Sequence, residues 1–303
     1  MNNIEYAILH ANTEQIDGIV GYFKIDEKKN KKVVVYIAVD SHKTPVGRIV
    51  ITERDVPSPL EGKRWYVYDL FVCPEHRRKG IASALVAKTI EEAKEANVLF
   101  IYGSANASVE ASCFWMSQGF SMNAYGRKEE DLTRPLFYGN YFHMFSRCMK
   151  KKTKLERWKN SHVRRLSKEE ILRFIDSKMN DPGEHDYFRN RSDVLVGFAV
   201  DGNHGETIGA IIAFPDSMQA PLESVRLVVE VFVEKESRRK GTGAGLVCEM
   251  YRFAKEIGAV QLTNFSQRAE HIGFWYKIGF DVFFWDVNPN TGEYGTIAML
   301  RVD

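Results

Sequence analysis

The sequence predicts an α+β protein of two tandem domains, each a mixed sheet flanked by helices. The chain has 303 residues and is 44% hydrophobic, which suffices for two cores of ordinary size. A stretch of about fifty residues occurs twice with its order kept. Each copy contains several β-branched runs, then an amphipathic helix, then a further apolar strand. Together these observations indicate a duplicated α+β domain.

The repeat is clearest around a basic tetrapeptide. YDLFVCPEHRRKGIASALV at 68–86 matches VEVFVEKESRRKGTGAGLV at 229–247, and Arg-Arg-Lys-Gly recurs unchanged. Further on, CFWMSQGF at 113–120 is echoed by GFWYKIGF at 273–280. Shared order over this length predicts a duplication rather than two accidental basic turns.

The repeat also predicts where the domains lie. We expect an N-terminal domain at 1–150 and a C-terminal domain at 160–303. Between them lies the segment KKKTKLERWKNS (150–161), which is rich in charged residues and has no periodic apolar pattern. It is therefore expected to be a solvated linker.

The elements of the first copy follow from its patterns. VVVYIAV (33–39) and VGRIVIT (46–52) flank a polar turn and predict a hairpin, and WYVYDLFV (65–72) predicts the next strand. After the basic loop, apolar residues three or four apart predict a helix that ends near Asn97. VLFIY (98–102) then predicts a buried strand.

The second copy repeats this order. DVLVGFAV (193–200), TIGAIIAF (207–214) and VRLVVEVFV (225–233) predict strands, and the following helix is expected to end at Gly258. Both copies open with a short strand and a helix: IEYAIL then TEQIDGIVGYF, and HVRRL then SKEEILRFIDSKM. In the last of these, Ser167 and Glu170 predict a capping box.

Composition excludes several classes of protein. The 42 basic and 40 acidic side chains nearly cancel, so no overall field favours nucleic acid or an anionic membrane. Four cysteines without paired spacing argue against a zinc cluster or a disulfide framework. The amino terminus lacks a signal-peptide pattern, and no apolar run reaches membrane-spanning length. We therefore expect a cytoplasmic protein without a metal.

A strand that runs into a basic, glycine-containing loop and then a helix can bind an anion. Unpaired amides at the helix start point outward, and the helix dipole favours negative charge there. Gly80 and Gly241 allow close backbone approach, and Ala82 and Gly243 are small enough to leave room for a diphosphate. One such loop alone could be a solvated turn, but two in the same context favour a pyrophosphate site. No P-loop or Gly-x-Gly-x-x-Gly pattern accompanies either loop.

The order strand, Arg-x-x-Gly-x-Ala or Arg-x-x-Gly-x-Gly, helix, strand, and helix ending in Gly-Phe resembles the GNAT acyltransferase superfamily over both halves. The resemblance implies mostly antiparallel sheets and acetyl-coenzyme A as cosubstrate, with loop amides on its pyrophosphate and the preceding strand paired with its pantetheine arm. Asn106 resembles an asparagine that holds this arm, although a turn role fits equally. The implied cofactor-binding residues are Phe71, Val72, Arg77, Arg78, Lys79, Gly80, Ile81, Ala82, Ser83 and Asn106, and Phe232, Val233, Arg238, Arg239, Lys240, Gly241, Thr242, Gly243 and Ala244.

The resemblance also suggests where a catalytic base and an oxyanion donor stand. The donor would be a backbone amide within 70–72 or 231–233. The nearest acids are Asp69 and Glu230, which could equally be paired with a neighbouring helix or with the basic loop. Strand alternation places Asp69 on the face opposite Tyr68 and Leu70 unless the strand has a bulge.

The chain departs from the family where a tyrosine commonly acts as the acid. Trp115 and Trp275 occupy that position, and an indole cannot usefully protonate a thiolate. Tyr276 lies one residue along, but one helical step of about 100° turns it away. Both tryptophans are therefore expected to be pocket walls.

The resulting prediction is an N-acetyltransferase that moves an acetyl group from acetyl-coenzyme A to a primary amine of a small molecule or protein by direct attack in a ternary complex. The alternative is that one copy is silent and acts as a structural partner or acyl-coenzyme A sensor. Ala82, and the lack of a tyrosine near Trp115, would make the first copy the silent one. Nucleic-acid binding by the linker around Trp158 is disfavoured, and no membrane partner is expected. The chain would be a monomer with pseudo-dimeric tandem domains, or a homodimer.

Overall fold

The structure is a computed structural model in which the chain divides by its internal contacts into two compact units. The first unit comprises Met1–Lys151 with Asp281–Trp285, and the second comprises Lys152–Phe280 with Asp286–Asp303. The domain boundaries expected from the repeat, 1–150 and 160–303, remain a prediction. The residues that the structure describes are 6–12, 15, 31–56, 59–106, 109–125, 142–149, 155–158, 162–178, 195–215, 226–264, 269–287 and 294–301.

The first sheet has seven strands in the order β1-β2-β3-β4-β5-β7-β6. Strands β4 and β5 pair parallel, and the other neighbouring pairs are antiparallel. A 3-10 turn at Pro74–His76 follows β4, and the two helices are α1 (Ile81–Glu95) and α2 (Val109–Ser117). The strands are β1 (Ala7–His10), β2 (Lys32–Val39), β3 (Pro45–Asp55), β4 (Lys63–Val72), β5 (Val98–Asn106), β6 (Ser121–Tyr125) and β7 (Phe142–Cys148).

The second sheet has seven strands in the order β13-β14-β12-β11-β10-β9-β8. Strand β11 pairs parallel with β12 and antiparallel with β10. The helices are α3 (Lys168–Lys178), α4 (Thr242–Glu256) and α5 (Ala269–Lys277). The strands are β8 (Val163–Arg165), β9 (Val196–Asp201), β10 (Thr207–Pro215), β11 (Arg226–Val233), β12 (Gln261–Asn264), β13 (Asp281–Val287) and β14 (Tyr294–Arg301).

The predicted fold class is confirmed: two mixed, mostly antiparallel sheets carry flanking helices. The hairpin of β2 and β3 forms as expected. Asn97 and Gly258 both adopt positive φ just after their helices, as left-handed residues at helix ends do. In the capping box, the Ser167 amide donates to Glu170 Oε2 at 2.8 Å, and the Glu170 amide donates to Ser167 Oγ at 3.2 Å.

The first predicted helix and the predicted linker are described only in part by the structure. The first helix, expected over TEQIDGIVGYF, lies outside the described residues except for Gln15. The expectation of a solvated linker is wrong for Leu155, which is buried, although Arg157 and Trp158 of the same 3-10 turn (Leu155–Trp158) are exposed. Leu155 is 8% exposed and packs into the second unit's core, because burial of an apolar side chain is favourable even in a stretch of charged residues.

Strand β4 contains a bulge that β11 lacks over its registered residues. Val67 lies opposite Ile51 of β3, whereas Asp69 lies opposite Val50, so Tyr68 is an extra residue in β4. The pairing of β11 with β10 runs from 227 to 233 without a shift. Tyr68 and Asp69 therefore share the sheet face of Val50, which corrects the simple alternation expected for Tyr68.

Candidate functional site

The candidate site of the first unit is a cleft where β4 and β5 separate. The parallel pairing ends at Val67 and Gly103, although β4 continues for five residues and β5 for three. A cavity of about 620 Å³ opens at this point, within the usual size range of small-molecule sites. It is lined by residues 67–72 of β4, 76–78 and 80–83 of the loop and α1, Ser104 and Ala105 of β5, and Glu110, Ala111, Phe114 and Trp115 of α2.

The loop between β4 and α1 leaves the start of the helix open. Arg78 has a φ of 59° and Gly80, the N-cap residue, a φ of 82°, so the chain turns sharply through the left-handed region twice. No side chain caps the helix, and its first turn has no acidic residue. The corresponding turn before α4, with Arg239 and Gly241, shares all these features. Both helix starts therefore present uncompensated amides suited to an anion.

The basic side chains of the first loop have different roles. Arg77 donates from Nε to the carbonyl oxygen of Val72 at 3.1 Å, and Lys79 donates from Nζ to the Glu75 carbonyl at 2.7 Å. Arg78 projects into solvent, with a side chain that is 91% exposed, and its Nη2 lies 3.7 Å from Glu110 Oε1. Arg77 and Lys79 thus shape the loop, while Arg78 offers an accessible guanidinium.

The second loop repeats the first of these contacts. Arg238 donates from Nε to the carbonyl oxygen of Val233 at 2.9 Å. Arg239 and Lys240 are exposed. The ring of Trp158 lies beside this loop, since a Cβ added to Gly241 would stand 3.8 Å from it.

Several predicted cofactor-binding residues can offer only their backbone. The side chains of Ile81, Thr242 and Ala244 are buried, with 1%, 7% and 5% exposure. Those of Ile81 and Thr242 pack against Gly47 and Gly209, where an added Cβ would lie 3.1 Å and 3.0 Å from the nearest side-chain methyl. The two strand glycines, which sequence reasoning missed, thus let each helix start lie close to its sheet. Their occurrence at matching places in the two copies was the available signal.

The small residues two positions after each loop glycine face an aromatic ring or the core. A Cβ on Gly243 would lie 3.3 Å from the Phe274 ring, and Ala82 packs against the first core. Phe114, the counterpart of Phe274 in the repeat, lines the first cleft. Ala82 also lines the first cleft, so the expectation that Ala82 and Gly243 leave room for a diphosphate stays a prediction. Phe114 is a wall residue that sequence reasoning missed.

Asp69 lines the first cleft and is held by an ion pair. Arg48 Nε on β3 lies 2.8 Å from Asp69 Oδ2, and both side chains are less than a third exposed. The Arg48 guanidinium also stacks 5.1 Å from the ring centroid of Phe71, which is 37% exposed. The partner of Asp69 is thus on the neighbouring strand, not on a helix or in the loop. Register, which the sequence does not show, brings the two together.

A second cavity, of about 310 Å³, adjoins this ion pair in the first unit. Its lining combines apolar side chains with the Arg48 guanidinium and a free thiol. The lining residues are Gln15, Ile37, Pro45, Gly47, Arg48, Phe71 and Cys73.

The remaining predicted residues are more dispersed. Trp115 is 5% exposed and lines the cleft beside Phe114, whereas Trp275 is 4% exposed within the second core. Tyr276 is half-buried on α5, one step from Trp275. Asn106 is the last residue of β5, opposite Phe142, rather than lying beyond the strand.

In the second unit, Glu230 meets a buried amide. Asn264 at the end of β12 donates from Nδ2 to the carbonyl oxygen of Val229 at 2.8 Å and lies 3.4 Å from Glu230 Oε2. Asn264 is 4% exposed. Sequence reasoning missed this residue, because its position relative to β11 depends on strand register.

Two kinds of feature are absent from the described part of the chain. There, no cluster of three or more His, Cys, Asp or Glu side chains could hold a metal ion. Within the same residues, no helix has the length and apolar composition needed to cross a membrane.

Most of the first unit matches an acetyltransferase domain of the GNAT class. The family model described as "Acetyltransferase (GNAT) family" matches residues 6–120. This part of the chain therefore carries a GNAT acetyltransferase domain, and the second sheet with its matching loop fits a tandem arrangement of two such domains.

Three of the solved structures that match the chain each align with about half of it. A GNAT-family acetyltransferase from Staphylococcus aureus Mu50 is 20% identical, covers 48% of this chain and 100% of its own, and has a TM-score of 0.34. The ribosomal-protein-S18-alanine N-acetyltransferase of Escherichia coli is 16% identical, with coverages of 49% and 97% and a TM-score of 0.35. Arabidopsis thaliana NAA60 in complex with acetyl-CoA is 17% identical, with coverages of 48% and 99% and a TM-score of 0.35. No curated protein matches the sequence.

Proposed function

We propose that the protein is an N-acetyltransferase that moves an acetyl group from acetyl-coenzyme A to a primary amine of a small molecule or protein. The first cleft is the observation that carries this proposal. It runs from the open start of α1, past the unpaired edge of β4, to Asp69 at the bulge. An anion site, a strand edge and a carboxylate thus lie in one cavity.

The cofactor would bind through backbone groups more than side chains. The amides at the start of α1 would hold the diphosphate, and the exposed Arg78 would add charge. Beyond Val67, alternate backbone groups of β4 point toward a strand that has already diverged, so they are available to an extended pantetheine arm. Phe114 and Trp115 would form the wall beside it.

The reaction would proceed by direct attack in a ternary complex. The neutral amine attacks the thioester carbonyl carbon, a C–N bond forms, and a backbone amide within 70–72 stabilises the oxyanion. Asp69, oriented by Arg48, accepts the proton that the amine loses, directly or through water. The C–S bond then breaks, and the thiolate takes a proton from solvent, because the indole of Trp115 cannot supply one.

The test measures free thiol released from acetyl-coenzyme A with a panel of small primary amines and of peptides bearing free amino termini or lysines. Asp69→Asn should lower the rate of thiol release by about 100-fold or more, as loss of a general base does. Its affinity for acetyl-coenzyme A should be unchanged. Glu230→Gln is the matched change in the second unit and should leave the rate unchanged. Absence of calorimetric binding of acetyl-coenzyme A to the wild type would overturn the proposal.

A further inference from the structure

In the second unit a side chain bridges the gap between the two parallel strands, whereas in the first unit this gap is open. The pairing of β11 with β12 ends at Val228 and Thr263. The next residue of β12, Asn264, reaches across with its side-chain amide to the Val229 carbonyl and to Glu230 Oε2, and it is 4% exposed. The two strands thus remain joined by a side chain where their backbones stop pairing.

Strand register identifies the equivalent position in the first unit. Val67 pairs with Ile51 and stands five residues before the end of β4. Val229 pairs with Ala213 and stands four residues before the end of β11. The difference of one residue is the bulge at Tyr68. Val67 is therefore the structural counterpart of Val229. Gly103 is the partner of Val67 on β5, so Gly103 stands where Asn264 stands in the second unit.

The two positions have opposite consequences for a ligand. In the first unit Gly103 has no side chain and β4 carries an extra residue, so the gap opens into the large cleft. In the second unit an arm that pairs with β11 would have to remove a buried amide from both a carbonyl oxygen and a carboxylate oxygen. The loop before α4 nevertheless keeps its left-handed arginine and glycine.

We propose that Asn264 closes the gap between β11 and β12 to the pantetheine arm, so that the chain binds one acetyl-coenzyme A, in the first unit. This inference rests on the proposed function and makes the second copy the silent one. It reverses the expectation from Ala82, because the first cleft is open although Ala82 both packs against the core and lines that cleft.

The experiment is a calorimetric titration of the full chain with acetyl-coenzyme A. The wild type should bind one equivalent. Asn264→Gly should bind two, because the substitution places in β12 the residue type that Gly103 provides in β5. Gly103→Asn should lower the affinity of the wild-type site by about tenfold or more. Arg78→Glu should weaken binding of the wild-type equivalent by about tenfold to a hundredfold, whereas Arg239→Glu should leave its affinity unchanged.

The outcomes separate this inference from the proposed function. Two equivalents in the wild type, or one equivalent that is lost in Arg239→Glu, would overturn the role of Asn264 and leave the proposed function standing. One equivalent in both the wild type and a folded Asn264→Gly would overturn it as well. No binding at all would overturn the proposed function itself. Circular dichroism establishes folding, and Asn264→Ala replaces the glycine variant if that variant does not fold.

Discussion

The guanidinium Nε of Arg77 lies 3.1 Å from the carbonyl oxygen of Val72, and the contact recurs in the second unit between Arg238 and Val233 at 2.9 Å. In each case a loop residue reaches back to the last residue of the central strand. The contact fixes the path of the chain between the strand edge and the open helix start. Each arginine, for which the family resemblance implies cofactor binding, is therefore also a structural link between the loop and its strand.

Arg77→Met tests this positioning role. Methionine keeps an apolar stem of similar length but leaves the Val72 carbonyl without its donor. We expect the free energy of unfolding to fall by about 1 kcal/mol and the Kd for coenzyme A to rise about tenfold. Arg238→Met is the control, with a similar loss of stability and unchanged affinity. Unaltered coenzyme A binding by Arg77→Met would show that the loop holds its shape without the contact.

Arg78 is expected to act through its charge. Because its side chain is 91% exposed, Arg78→Glu should change stability little and weaken coenzyme A binding by about tenfold to a hundredfold. Asparagine tolerates the left-handed conformation at this position, so Arg78→Asn changes the charge without straining the backbone. Because it removes the positive charge without adding a negative one, its affinity should lie between those of Arg78→Glu and the wild type. Affinity measured at two salt concentrations checks the cause. Equal affinities of the three proteins would exclude Arg78 from the anion site.

Local features of the fold could be predicted from the sequence. The repeated Arg-Arg-Lys-Gly correctly located both strand–loop–helix turns, and Ser167 with Glu170 correctly located a helix start. Such features depend on residues close together in the chain, so their chemistry is visible in a short window.

Features that depend on strand register could not be predicted. The bulge at Tyr68 looks like ordinary strand sequence, and it becomes visible only when Val67 and Asp69 are matched to β3. The ion pair of Asp69 with Arg48 and the bridge from Asn264 to Val229 join residues 21 and 35 positions apart. A one-residue change in register would remove either contact, and the sequence of a single strand does not fix its register.

The close approach of α1 to the first sheet depends on Gly47. A Cβ at this position would lie 3.1 Å from both Ile81 Cγ2 and the Phe71 carbonyl oxygen. Gly47→Ala should push the helix start outward, lower the free energy of unfolding by about 1–3 kcal/mol and weaken coenzyme A binding. Gly209→Ala makes the equivalent change in the second unit and should lower stability without changing affinity. Chemical denaturation and calorimetry measure the two effects, and wild-type behaviour of Gly47→Ala in both would contradict the packing argument.

Stability should decrease in alkaline solution because of Tyr36 on β2. Its ring is 1% exposed, and burial, with the nearby Glu92 carboxylate, raises the pKa of its phenol from 10.0 to about 12. A raised pKa favours the neutral phenol in the folded state, so this stabilisation is complete below about pH 10 and is lost as the pH rises toward 12. The loss should reach about 2 kcal/mol.

Urea denaturation at pH 9 and pH 11 measures this effect. The free energy of unfolding should fall more between the two pH values for the wild type than for Tyr36→Phe. Lysine and other tyrosine side chains also titrate in this range, but they do so in both proteins and cancel in the comparison. If the two proteins lost equal free energy of unfolding, ionisation of Tyr36 would be excluded as the cause, because the phenylalanine variant has no phenol to ionise at this buried position.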